Sequence, residues 1–413
     1  METGKIGAGK HLTRIITQAY MDLHERAAKG AFVVWIAINV PAEIFLGFEN
    51  VVYGVPESHA AMNAAKGVGV TQCVKAEHLG YSMDLCSYAR IDIGCVSDHG
   101  KDSPSFGLPK PDLIVSNNNN CSLLTKWFDV HHRQMGVPHF LIDVPFCYQP
   151  QKEKDREYIV RQFQDLIRVI EQMSGQKFNV DRFCRAVDHS IQGVALWKKF
   201  LEFAENKPSG ITAFDSFVHM APFLILRGVP AFEEHYRILV EETKQRVADC
   251  VFPVPEEKYR LFWDNIAPWH QLRKMSSRLA ELNANIVGAS YTSCIGTKEG
   301  SFDLFPFDNT DPMHFLARTQ NAYICPHGLE LRKQAMAGIA RKLKIDGIIF
   351  AGNRSCKPYS ITQMDQQQYF FHQENIPTVM IEVDHADARK YSEENSFLRI
   401  EALLEAIDVR RAA

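Results

Sequence analysis

Three cysteines of this chain share one kind of setting, a polar or basic loop where an expected strand or helix meets the next element. Cys86 lies in GYSMDLCSYARIDIG, Cys121 in NNNNCSLLTKWF and Cys356 in GNRSCKPYSITQ. No CxxC pair occurs, which argues against a ribbon-type zinc site, so a metal would have to gather thiolates from distant positions. Three thiolates would leave one corner of a 4Fe-4S cubane open, and an open iron can bind a substrate oxygen or water as a Lewis acid. Spacing alone favours the plainer reading of three ordinary buried thiols, since free cysteine is among the most buried residue types. Of the ten cysteines, Cys184 and Cys250 fall in a helical stretch, and Cys73, Cys95, Cys147, Cys294 and Cys325 lack a repeated loop context. All seven read as packing residues, with Cys73 and Cys147 as second-rank thiols near a site.

The elements that must position these cysteines follow from periodicity. Short β-branched runs bounded by turn residues alternate with helical patterns, which is the pattern of parallel sheets covered by helices. The expected strands are Phe32–Asn39, Asn50–Val55, Asp112–Ser116 and His139–Val144, then Asn285–Tyr291, Gly347–Ala351 and Thr378–Val383. Between the two sets, DREYIVRQFQDLIRVIEQMSG and its surroundings place apolar residues every three or four positions, as an amphipathic helix does. The organisation expected is α/β: a helical N-terminal segment (1–30), a first α/β domain (31–150), a helical connector (151–257) and a second α/β domain (258–413).

The two strand-rich regions repeat a pattern. PDLIVSNNNNC is followed, after a helix, by GVPHFLIDVP; IDGIIFAGNRSC is followed, after a helix, by NIPTVMIEVD. Each half reads strand, Asn-containing loop, cysteine, helix, and a Pro-led strand that ends near an acid. Ligands of open α/β sheets bind beyond the carboxyl ends of the strands, where both cysteines fall, so the two loops are expected to face one another across a cleft.

A chain of 413 residues exceeds the ~250–300 at which single cores stop growing, in keeping with two or three domains. Its 46 basic and 49 acidic residues are interspersed, which leaves no electrostatic footprint for nucleic acid or an anionic membrane. The N-terminus reads as an amphipathic helix rather than a signal peptide, and the longest apolar run is interrupted by Asn39 and Pro41, short of a membrane span. A cytoplasmic protein whose cysteines are thiols or thiolate ligands is the expectation.

At VPESHAAMNAAKG, GYSMDLCSYARIDIG, NNNNCSLLTKWF and GNRSCKPYS, in that order and over most of the chain, the sequence resembles the iron-sulfur subunits of 2-hydroxyacyl-CoA dehydratases and ATP-dependent benzoyl-CoA reductases. The resemblance implies two Rossmann-like parallel-sheet domains and a 4Fe-4S cluster on Cys86, Cys121 and Cys356. It also implies a related second subunit in a heterodimer, and an ATP-dependent iron-sulfur activator protein that delivers one low-potential electron. In the dehydratases that electron forms a ketyl radical at the thioester carbonyl and a hydroxyl is expelled; in the reductases electrons enter an aromatic ring. Glu57 matches an acidic active-site residue of the dehydratases, and His59 stands beside it as a proton donor. Ser87, Tyr88, Arg90, Asn120, Arg354, Ser355 and Lys357 flank the cysteines and are candidates for orienting a thioester carbonyl or a CoA phosphate. Two departures stand out: VVWIAINVP lacks the hydroxyl residues the dehydratases carry in the first strand, and GASYTSCIG looks closer to the reductases. Dehydration of an (R)-2-hydroxyacyl-CoA is the first expectation, benzoyl-CoA reduction the second, and a non-catalytic cluster-binding or scaffolding subunit the third.

Overall fold

The computed structural model describes residues 7–298, 301, 303–305, 310–325 and 327–412. Eight strands form two four-stranded parallel sheets. The first contains β1 (Phe32–Ile36), β2 (Val51–Gly54), β3 (Leu113–Asn117) and β4 (His139–Ile142), in the order β2-β1-β3-β4. The second contains β5 (Tyr259–Asp264), β6 (Ala284–Ala289), β7 (Gly347–Asn353) and β8 (Thr378–Val383), in the order β6-β5-β7-β8. The two orders are the same topology used twice, as the repeated pattern requires. In each sheet the chain reverses its direction of winding between the first and third strands, and the crevice there is where such folds bind ligands.

The central strands are nearly continuous apolar runs, as expected where helices cover both faces of a parallel sheet. Phe32 is half-buried while Val33, Val34, Trp35 and Ile36 are buried, and the interior of β7 is buried likewise. β5 is the strand that the sequence pattern did not disclose. Its residues YRLFWD contain no β-branched side chain, and Arg260 interrupts the apolar run. In the fold Arg260 is buried because its guanidinium donates to the backbone oxygens of Leu343 and Asn206 and pairs with Glu257, so the charge is satisfied inside. The strands expected over Phe32–Asn39 and Asn285–Tyr291 stop earlier, at Ile36 and Ala289.

Helices Glu153–Ser174, Val180–Glu202 and Pro230–Ala248 dominate the stretch between the sheets, and the N-terminal helix Ala8–Ala28 docks on the last of them. Among the described residues no helix is long and apolar enough to cross a membrane.

The two halves are locked together near the carboxyl ends of their strands. Ser87 Oγ donates to Asp384 at 2.7 Å, and Arg90, fully buried, pairs with Asp387 at 3.0 Å and Glu77 at 2.7 Å. Gly69 is required at this seam, since a Cβ there would stand 2.8 Å from the carbonyl oxygen of Ala386. On the other side Gln320 donates to the backbone of Asn39 and Asn119 donates to the backbone of Gln320, which ties the segment before Cys325 to the first sheet.

Candidate active site

Cys86, Cys121 and Cys356 are each the N-cap residue of a helix: Ser87–Ser97, Ser122–Met135 and the short turn Lys357–Ser360. All three line one cavity of about 90 Å³ between the two sheets. Its walls come from the ends of both sheets: Ile38 and Asn39 after β1, Asn120 after β3, Ile266 after β5 and Tyr291 after β6. A larger apolar groove of about 1140 Å³ lies between the N-terminal helix and helix Pro56–Ala65, but it holds none of the candidate ligands or acids. Chemistry therefore identifies the smaller cavity.

The helix starts favour thiolate at each position. Leu124 N–H donates to Cys121 Sγ at 3.2 Å, the amides of Ala89 and Tyr88 face Cys86, and that of Tyr359 faces Cys356. Backbone N–H groups at a helix N-terminus stabilise negative charge. Burial acts oppositely and more strongly: it pushes the Cys86 thiol up to about 12 and raises Cys121 and Cys356 as well. A cation bound among the three would offset this cost of burial, and the amides would then support the thiolates. No three His, Cys, Asp or Glu side chains among the described residues converge tightly enough for a single metal ion. Sulfur donors spread around a cavity suit a cluster, whose inorganic core separates its thiolates.

Glu57 stands on the same wall, in the first turn of helix Pro56–Ala65 directly after β2. One carboxyl oxygen accepts from Ile38 N–H at 3.0 Å, and the other has no partner. Burial, with a contribution from the Asp92 carboxylate, raises its pKa to about 8 despite the opposing backbone hydrogen bonds. A carboxyl with a pKa near neutrality and an unpartnered oxygen in a cavity is chemically suited to proton transfer.

His59 is on the same helix but does not line the cavity. Its Nε2 is 2.8 Å from Ser103 Oγ and its Nδ1 is 3.9 Å from Asp92. Asp92 is buried, which would raise its pKa, yet His131 at 2.6 Å and His59 hold it down at about 2. The Asp92 charge behind Glu57 is thereby permanent at working pH.

The remaining candidates divide. Tyr88 and Asn120 line the cavity, the Tyr88 hydroxyl accepting from Trp269 Nε1. Ser87 and Ser355 are buried at the seam, their hydroxyls 3.2 Å apart, and Ser87 also meets His385 Nε2 at 2.9 Å. Arg90 is consumed by its two carboxylates. Arg354 and Lys357 are exposed on the outer rim, Arg354 paired with Glu382 and Lys357 donating to the Arg354 carbonyl. The sequence reading missed six groups on the wall: Asn39, Trp127, Tyr291, Tyr323, Cys325 and Tyr359. It also missed His385, 3.6 Å from Cys86 Sγ. Only the acid ending β8, Asp384, belonged to the repeated pattern, and no spacing rule marks the others.

A family model described as 2-hydroxyglutaryl-CoA dehydratase, D-component, matches residues 37–407. The chain is similar to the (R)-phenyllactyl-CoA dehydratase alpha subunit of Clostridium sporogenes, 31% identical over 98% of this chain and 97% of that protein. It is also similar to the alpha subunit of lactoyl-CoA dehydratase of Anaerotignum propionicum, 28% identical over 96% of this chain and 95% of that protein. A third likeness is to a benzoyl-CoA reductase subunit of Thauera aromatica, 27% identical over 90% of this chain and 87% of that protein.

Proposed function

The chain belongs to the 2-hydroxyglutaryl-CoA dehydratase D-component family, and on that premise we propose that it is one subunit of an oxygen-sensitive 4Fe-4S enzyme that dehydrates an (R)-2-hydroxyacyl-CoA to the 2-enoyl-CoA. The observation that carries the reading is the single cavity on which Cys86, Cys121, Cys356 and Glu57 meet. Cys86, Cys121 and Cys356 would hold the cluster, leaving one iron without a ligand from these three. The bound cluster would supply Lewis acidity and low-potential electron transfer next to the thioester.

The chain's own groups do the rest. Glu57 exchanges a proton with the acyl group, since a pKa of about 8 lets it act in either direction near neutral pH. Asp92, held ionised by His131 and His59, adds its charge to the burial that raises the Glu57 pKa, so Asp92 and His59 act as positioning residues. Tyr88 and Asn120 offer polar groups to a thioester oxygen, and Ser87 and Ser355 fix the orientation of the two cysteine loops. Arg354 and Lys357, exposed on the rim, suit the phosphates of a CoA chain that enters from outside; Arg90, already paired with two carboxylates, contributes rigidity instead. The relatives are themselves named as subunits, which supports a heterodimer with a second subunit, and an ATP-dependent activator and a cytoplasmic location complete the reading.

One observation favours ring reduction of benzoyl-CoA as a second reading: the wall beside Glu57 is Ile38, Ile266, Ile295 and Trp127, which suits an aromatic ring. Anaerobic assays with the partner subunit and an activator separate the two. Dehydration consumes electrons far below one per product because the electron is recycled, whereas ring reduction consumes them stoichiometrically, and that result would replace the first reading with the second. Cluster content without thioester turnover would instead leave a non-catalytic subunit.

A further inference from the structure

The cavity wall carries a fourth sulfur. Cys325, half-buried in the turn that precedes helix Leu329–Leu343, lines the same space as Cys86, Cys121 and Cys356. Its position is built from both halves. Upstream, Gln320 is fastened to the backbone of Asn39 and to the Asn117 and Asn119 side chains at the carboxyl ends of β1 and β3. Downstream, Arg332 is buried, donates to the Cys325 carbonyl at 3.0 Å and to Thr362 Oγ1 at 3.1 Å, and lies over the Tyr359 ring. The backbone that carries the thiol is thereby tied to both halves.

The topology agrees with that placement. In each half one cysteine follows the third strand, Cys121 after β3 and Cys356 after β7. In each half a second comes from the crossover that leads to that third strand: Cys86 between β2 and β3, Cys325 between β6 and β7. Both crossovers carry further cysteines, Cys73 and Cys95 in the first and Cys294 in the second, but of these five only Cys86 and Cys325 line the cavity.

Resting on the cluster assignment above, we propose that Cys325 is a fourth protein ligand, whose sulfur closes the remaining iron corner when no substrate is bound. Cys325 differs from the other three in lying at no helix N-cap; the amide that faces its sulfur is its own rather than one of a helix first turn, which makes it the ligand most easily exchanged for an incoming oxygen.

The test uses the heterodimer purified without oxygen, wild type against Cys325→Ser and Cys325→Ala, with Cys294→Ser as a buried control outside the cavity. Ferricyanide strips the unique iron from a three-thiolate cluster and leaves a 3Fe-4S signal in electron paramagnetic resonance; a four-thiolate cluster resists. The expected result is that the Cys325 variants lose about one iron per chain and gain that signal under conditions where wild type and Cys294→Ser do not. Equal conversion of wild type and both Cys325 variants would overturn the proposal. The alanine variant, apolar and smaller, covers the case in which serine is not tolerated in the wall. Failure of the cluster assignment is separately visible, since iron would then be absent or indifferent to serine at Cys86, Cys121 and Cys356.

Discussion

The same four-strand topology is used twice, yet the two halves bring different chemistry to their shared cavity. After β2 the first half presents Glu57, a buried carboxyl with a pKa of about 8; after β6 the second half presents Tyr291, whose hydroxyl burial drives far above its ordinary range. The acids that end the fourth strands diverge as well. Asp143 stays exposed and bonds to Tyr158, whereas Asp384 is buried and anchors Ser87 across the seam. One half therefore carries the titrating group and the other carries the fixed frame. A duplicated scaffold supplies equivalent positions, and the residues placed there decide which half carries a carboxyl that titrates near neutral pH.

The largest effect expected is at the positions the halves share. Serine at Cys121 or at Cys356 should each release the cluster, about four irons per chain, and abolish turnover, as iron and sulfide analysis of the anaerobic protein will show. Loss from only one of the two would break the equivalence. At the positions that differ, Glu57→Gln should lower kcat by about 10²- to 10⁴-fold with iron content unchanged, while Tyr291→Phe should cost less than about tenfold. If Glu57 is the base, turnover should rise with pH along a limb centred near 8, and that limb should vanish in the glutamine variant. The same group gives a stability signature. Its folded pKa lies above the unfolded value, so its favourable contribution is complete below about 4.5 and is lost as pH climbs through about 8; chemical denaturation of Glu57→Gln should lack that decline.

At the seam, Arg90→Ala leaves Asp387 buried with one cation fewer and should cost roughly 3–5 kcal/mol in unfolding free energy. Its exposed counterpart on the rim is the Arg354–Glu382 pair, for which Arg354→Ala should cost no more than about 1 kcal/mol of stability. A KM for the acyl-CoA raised several-fold by the same change, with kcat kept, would assign Arg354 to the CoA phosphates; an unchanged KM would leave it a solvated rim residue.

Much of this was legible in order along the chain. β-branched runs marked seven of the eight strands, because a doubly covered parallel strand must be apolar along its length. The Asn-loop-cysteine repeat marked both third strands, and the cysteine motifs marked five wall residues, Cys86, Tyr88, Asn120, Cys121 and Cys356. Where local pattern failed, a tertiary partner had changed what a residue could do. β5 was hidden by Arg260, a charge that only the carbonyls of Leu343 and Asn206 and the Glu257 carboxylate make tolerable inside. Arg90, Arg354 and Lys357 look alike as cations beside cysteines, but folding buries the first between two carboxylates and leaves the other two in water.

Residue type and order thus determined by themselves the duplicated α/β plan and which cysteines stand at strand and helix ends, because periodicity and turn chemistry are local. Only the tertiary structure decided that Glu57 titrates near 8, that His59 faces away from the cavity and that Cys325 joins its wall. Each of these depends on desolvation or on contacts between residues that lie tens to hundreds of positions apart, and no local spacing encodes them.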